Sequence, residues 1–468
     1  MTGTSNNIIT LRRHDLDNLK TFLAGLVVLH HTTIPYGGSP ESYLRSVVVH
    51  GSSPALLAFK SMNQSFFMGT FFWISGRMTA HSLGKLAPVS FIGRKLLHLG
   101  VPTAFYTLFI IPAVRAVALP SWDLTTIRQD VLRYWASLGG VTGNSWYTAT
   151  LLVLDVLAAL AVMTRPLSRD LSSDGKSRDR KTTAASSPTV YSRYNSGSEN
   201  NGQLAFPPAP LVEKWAWLPV ALTSFLIRTQ LPGFPGGRAW TPLNLHLSFL
   251  PQYVYAYVMG YRSFHDGRSR IYGPFDHGDV SGEDAHHHTS HRGAPSLSLG
   301  ASIAVSAGTL ACIVVPAAVL ELAVGGGISK DSLVPAVLEQ VSGGWNVSAL
   351  LYSVWNEFSF VTITPALMAY FQQNYSQRIE SWWWKPRYSY AVFLGHNVVS
   401  MAVAVAAESV CRGLLSTSSW ARSFFLSRVW NMTGPSVLTV VVGSAQVFSS
   451  FVVGKFLVEY VPGLNRII

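Results

Sequence analysis

Apolar residues gather in ten stretches of 17 to 28 residues, separated by polar connections. They are Leu16 to Tyr36, Ser65 to Leu83, Leu96 to Leu119, Ser145 to Met163, Trp215 to Leu231, Leu245 to Tyr261, Leu297 to Val324, Ala349 to Phe371, Tyr388 to Val410 and Ser436 to Tyr460. A helix that crosses the roughly 30 Å hydrocarbon layer needs about 17 to 25 mostly apolar residues, each rising about 1.5 Å. The pattern therefore predicts an all-α integral membrane protein, a polytopic bundle of about ten transmembrane helices.

The connections divide the chain further. Residues 1–15 read as a cytoplasmic tail, 16–460 as the membrane domain and 461–468 as a second cytoplasmic tail. Within the membrane domain, 165–210 is rich in Ser, Arg, Lys, Asp and Asn, and 265–295 in Gly, Asp and His. Neither has enough apolar surface to fold alone, so both are expected to be mobile cytoplasmic loops. Lys and Arg number 24 on the side of the N-terminus and the even-numbered loops, against 11 on the other. That excess assigns both termini to the cytoplasm. On this orientation the glycosylation sequons at Asn346 and Asn431 fall outside and the one at Asn374 inside. The first apolar run is long enough to span and follows a polar start, so no cleavable signal peptide is expected.

Composition narrows the class. Only 12% of the 468 residues are charged and mean hydropathy is +0.26, against about 25% charged in soluble domains. The net charge of +12 is scattered between apolar runs rather than gathered into a basic domain, which argues against a nucleic-acid partner. Two cysteines, Cys312 and Cys411, exclude a disulfide scaffold, and both are expected to be buried thiols. The cluster His286, His287, His288 and His291 has metal-ligand residue types, but nothing apolar shapes a site around it, and no metal is expected. Trp382, Trp383 and Trp384 read as an interfacial aromatic belt.

Ionisable residues inside apolar runs are expensive and mark candidate sites. The first run holds Asp17, Lys20, His30 and His31. Eleven residues are about three helical turns, so His31 lies within about 20° of Lys20 and about 16 Å further along the axis. His30 is offset by about 80°. This arrangement suits an anionic group held at the cytoplasmic end and a proton transfer deeper in the membrane; the alternative from spacing is that the two histidines are interhelical hydrogen-bond partners. Asp155, Glu357 and His396 are the other buried polar candidates. Glu357 is suited to orienting an imidazole or pairing with a cation such as Arg77, and Asp155 to a structural pair.

The stretch Leu16-Asp17-Asn18-Leu19-Lys20, followed by Leu26-Val27-Val28-Leu29-His30-His31, resembles the opening helix of the membrane acyltransferase-3 family. The likeness is to the branch containing glucan succinyl-transfer proteins and many fungal members. Three further stretches fit in order: Ser65 to Gly76, Leu99-Gly100-Val101-Pro102, and Ser389 to His396. Lys20 stands where the family usually has Arg, and Lys95 and His98 stand where it often has Arg-x-x-Arg. The resemblance implies transfer of an acyl group from acyl-CoA to a hydroxyl of a small metabolite, sugar or lipid, with no metal. It implies His31 as the reactive base beside His30, Glu357 supporting an imidazole, and Lys20, Arg77, Arg94, Lys95 and His98 around the donor phosphates. The rival reading is a proton-coupled transporter with His30, His31, Asp155 and Glu357 as a relay; the lack of an internal repeat weighs against it.

Overall fold

The computed structural model describes residues 13–38, 46–49, 51–117, 119, 123–164, 215–230, 239–265, 297–324, 336–341 and 343–464. The two expected mobile loops (except His265), the histidine cluster at 286–291, residues 1–12 and residues 465–468 lie outside these residues. The described residues are helical apart from turns and one isolated bridge, Trp240 to Leu245. The helices are α1 (His14–Thr32), α2 (Pro54–Leu83), α3 (Pro88–Ala116), α4 (Leu124–Ala136), α5 (Ser145–Met163) and α6 (Trp217–Gln230). They continue as α7 (Leu250–His265), α8 (Leu299–Val324), α9 (Val347–Asn374), α10 (Ser389–Thr417), α11 (Ser419–Phe425) and α12 (Arg428–Tyr460). A helix occupies each of the ten apolar runs. Among the described residues five helical segments are long and apolar enough to cross a membrane: Pro88–Ala116, Ser145–Met163, Leu299–Leu322, Pro386–Thr417 and Arg428–Tyr460.

Several boundaries differ from the apolar pattern for local reasons. Helix α1 stops at Thr32, and the next turn breaks where Gly37 takes φ +101°, a conformation that favours glycine. His31 is thereby set in the last turn of α1. Helix α2 begins eleven residues before the apolar run, because Ser53 caps it by accepting from the Leu56 amide and Pro54 fits the first turn. The amphipathic α4 was not visible as an apolar run; Asp123 caps it and Asp130 pairs with Arg115 at 2.8 Å. That pairing holds the Asp130 carboxyl below the usual carboxylate range.

Helix α3 starts at Pro88 and carries two further prolines in its interior, each of which costs it a hydrogen bond. Pro102 cannot donate to the His98 carbonyl, and the chain widens into a π turn at Leu96–Gly100. The Tyr390 hydroxyl on α10 satisfies that carbonyl at 2.8 Å. Pro112 likewise leaves the Leu108 carbonyl without its helical donor, and Trp135 Nε1 on α4 reaches it at 3.0 Å. Both freed acceptors thus become tertiary anchors.

Small residues decide the closest helix pair. A Cβ on Gly76 of α2 would sit 2.0 Å from the Tyr257 carbonyl oxygen, and one on Gly260 of α7 1.9 Å from that of Trp73. The two glycines let the backbones touch, the usual device of helix pairs in membranes. Gly76→Ala and Gly260→Ala are each expected to lower stability by about 1–3 kcal/mol, read as a lower Tm in detergent. Gly300→Ala, with open space around it, is expected to leave Tm unchanged or slightly raised.

Helix α1 is packed among α2, α9, α10 and α12. Gly443 of α12 admits Leu29, Thr32 hydrogen-bonds Gln446, and Ser389 of α10 bonds Thr21 at 3.0 Å. Trp384 packs on Phe451 with centroids 4.4 Å apart, and Trp383 on Phe448 at 5.2 Å, so these two tryptophans brace α12. Trp382 alone of the three is mostly exposed. One expected burial is corrected: Cys411 is buried, but Cys312 is exposed, because it shares the outward face of α8 with Val315 and Val319.

Candidate active site

The last turn of α1 delivers two histidines to one cavity of about 860 Å³. His30 is buried, its ring stacked on Phe67 at 5.0 Å. His31 is half-buried, its ring 5.5 Å from that of His30 and turned 76° from it. The helical offset expected between neighbours is thus kept, yet both rings line the cavity.

His396 of α10 completes the group, its ring centroid 5.2 Å from that of His31. Its own nitrogens are committed. Nδ1 lies 2.9 Å from the Phe393 carbonyl, which can only accept, so Nδ1 carries the proton. Nε2 lies 2.9 Å from Asn144 Nδ2, which can only donate, so Nε2 accepts. His396 is therefore a fixed neutral imidazole. No protein hydrogen bond occupies either ring nitrogen of His31 among the described residues. His30 Nδ1 is likewise buried without a partner, so His30 and His31, unlike His396, have ring nitrogens able to exchange a proton with a ligand.

The cavity walls are mainly apolar, formed by Leu57, Phe67, Trp146, Phe249, Leu310 and Val314 among others. Its polar lining includes Lys60, Arg228, His246, Asn144, Asn244 and Asn397. Arg228 is buried, its guanidinium over the Phe249 ring at 4.8 Å and the Tyr352 ring at 5.3 Å. These polar residues were not singled out from the sequence. Lys60 fell outside the apolar runs, whereas Arg228 was a signal available to reading, an arginine inside the fifth run.

The remaining sequence candidates sit elsewhere. Phe393 borders the cavity and clusters with Phe71 at 5.9 Å and Tyr147 at 5.0 Å. Beyond this aromatic layer, toward the start of α1, Asp155 accepts from Thr79 (2.5 Å) and Tyr257 (2.7 Å) through Oδ1 and pairs with Lys95 at 2.8 Å through Oδ2. Lys95 is thus engaged with a fully buried carboxylate. Lys20 pairs with Asp17 at 2.9 Å and keeps a third of its side chain exposed. Arg77 donates to the Ser263 carbonyl and hydroxyl at 2.9 and 3.1 Å, while Arg94 and His98 are exposed. Glu357 is buried, accepts from Asn356 at 3.0 Å and faces Gln252 and Arg228. Its hydrogen-bonding neighbours are thus the amides of Asn356 and Gln252, with the Arg228 charge nearby. Among the described residues no group of three or more His, Cys, Asp or Glu side chains is arranged to hold a metal ion.

The architecture and this site define a helical membrane protein with an internal, histidine-lined cavity. A family model described as an acyltransferase domain matches residues 13–445, nearly the whole chain. The chain belongs to the acyltransferase-3 family and is, in general terms, a membrane acyltransferase. Comparison with curated proteins and with solved structures finds no match.

Proposed function

We propose that this chain is an O-acyltransferase that moves an acyl group from acyl-CoA to a hydroxyl of a small metabolite, sugar or lipid. The reading places it in the branch with glucan succinyl-transfer and fungal members, which its motifs resemble. The reading takes ten helices as crossings and puts both termini in the cytoplasm, supported by the Lys and Arg excess of 24 to 11. The observation that carries it is His31, which lines a cavity of about 860 Å³ and has no protein hydrogen bond on its ring among the described residues, beside a neutral His396 held by Phe393 and Asn144.

His31 takes the proton of the acceptor hydroxyl as the oxygen attacks the thioester carbonyl. The tetrahedral intermediate collapses with cleavage of the carbon–sulfur bond, and the imidazolium returns its proton to the departing CoA thiolate. His396, fixed by Phe393 and Asn144, supports the His31 ring, and His30 stacked on Phe67 closes the other side. Glu357 acts through Arg228 rather than on an imidazole.

The donor phosphates dock at the opposite end of α1, around Lys20 and Arg94, with Arg77 and His98 at the rim. The acyl-bearing arm then covers the three turns, about 16 Å, from Lys20 to His31. Lys95 serves mainly Asp155. Lys20→Glu and Arg94→Glu are expected to raise KM for acyl-CoA several-fold with kcat little changed; an unchanged KM removes these residues from the donor site.

The transporter reading is less well supported, because its four relay residues do not form one chain of contacts. His31 faces His30, His396 and Lys60, while Asp155 is closed off with Lys95, Thr79 and Tyr257. The test is purified protein in nanodiscs with a panel of short and long acyl-CoAs and a crude metabolite extract. Release of free CoA thiol with label in an ester supports the enzyme. Silence across the panel, with proton-driven uptake in proteoliposomes, overturns it.

A further inference from the structure

The cavity beside His31 is apolar but not neutral. Lys60 of α2 and Arg228 of α6 both line it, and no Asp or Glu is among the described lining residues. The Glu357 carboxylate faces Arg228 from α9, outside the lining. The start of α5 also lies in the wall at Gly143 and Asn144, and the N-terminal end of a 19-residue helix adds positive potential. Three histidines, His30, His31 and His246, are the other titratable lining groups besides Tyr253 and Tyr352. Leu310, Ala311, Val314 and Ala318 of α8 line the same cavity, and Leu310 shares a cluster with Tyr352, over whose ring the Arg228 guanidinium lies. Cations beside a long apolar wall fit an acid with a hydrocarbon body.

Building on the acyltransferase reading, we propose that the acceptor is an amphiphilic acid, its anionic group held by Lys60 and Arg228, its apolar body along α8 and its hydroxyl presented to His31. Selection for the charge arises because the guanidinium is already desolvated and fixed between Phe249 and Tyr352, so little order is lost when an anion arrives.

The probe is ω-hydroxydodecanoate against its methyl ester, titrated by calorimetry into the full chain in nanodiscs, with empty nanodiscs subtracted. The acid is expected to bind at least about tenfold more tightly than the ester, the size of a charge-assisted hydrogen bond. That preference is expected to vanish in Lys60→Gln and in Arg228→Gln, and to survive in Arg228→Lys. Lys60 is half-buried on a helix, so its variant remains informative if the Arg228 variant fails to fold. Equal binding of acid and ester, no binding of either, or a preference unchanged in Lys60→Gln overturns the proposal. Competitive displacement of the acid by desulfo-CoA assigns the anion site to the donor phosphates and overturns the acceptor assignment. The titration is repeated with His31→Ala, which should keep the preference. Retained selectivity without any acyl transfer by the wild type leaves the acid site standing and removes the enzymatic reading instead.

Discussion

Lys95→Met is expected to destabilise the fold by about 3–5 kcal/mol, the usual cost of removing one partner from a buried ion pair. The Asp155 carboxylate is fully buried and, among the described residues, receives the Thr79 and Tyr257 hydroxyls besides the Lys95 ammonium. Taking away the ammonium leaves a charge in hydrocarbon at the point where α2, α3, α5 and α7 meet. Adding Asp155→Asn removes that charge while keeping an oxygen for both hydroxyls, so the double variant is expected to recover about half of the loss or more. Melting in detergent reads both changes. A different pattern, with Tm unchanged and KM for acyl-CoA raised in Lys95→Met, would return Lys95 to the donor site that the family motif assigns to it.

The second large effect belongs to the catalytic step. His31→Ala is expected to lower acyl transfer by about 100- to 10,000-fold, the range of a positioned general base. Its ring is half-buried and faces a cavity, so Tm should move little. His396→Ala is expected to give a smaller loss of rate and a lower Tm, because that ring ties α10 to the start of α5 through Asn144. His30→Ala removes the stack on Phe67 and is expected to fall between the two in its effect on rate. The three variants separate proton transfer from positioning by the ratio of rate loss to Tm loss.

Much of this architecture was legible in the chain. Each of the ten apolar runs holds a helix, and among the described residues five helical segments have the length and hydropathy a bilayer requires. The position of His31 three turns from Lys20 followed from helical rise alone, because α1 is unbroken from His14 to Thr32. The walls of the cavity were not legible. Lys60 lies in a stretch too polar to read as a span, and it reaches the site only because a Ser-Pro cap extends α2 by three turns. The pairing of Lys95 with Asp155 joins residues sixty positions apart, and periodicity within one helix carries no information about its neighbours. The capture of the His98 and Leu108 carbonyls by Tyr390 and Trp135 is legible halfway. The prolines announce that an acceptor is freed, but only the fold shows which donor arrives. Glu357 was visible as a costly buried charge, whereas its neighbour Arg228 emerges only from the packing of α6 against α9.

The central claim is that His31 performs acyl transfer from acyl-CoA. Its most direct test is the rate of ester-label formation by wild type and His31→Ala at equal concentrations of folded protein in nanodiscs, with labelled acyl-CoA and a metabolite extract. The account predicts label in ester matched by free CoA thiol for the wild type, and at least about a 100-fold slower rate for His31→Ala. Equal rates in the two proteins would contradict it.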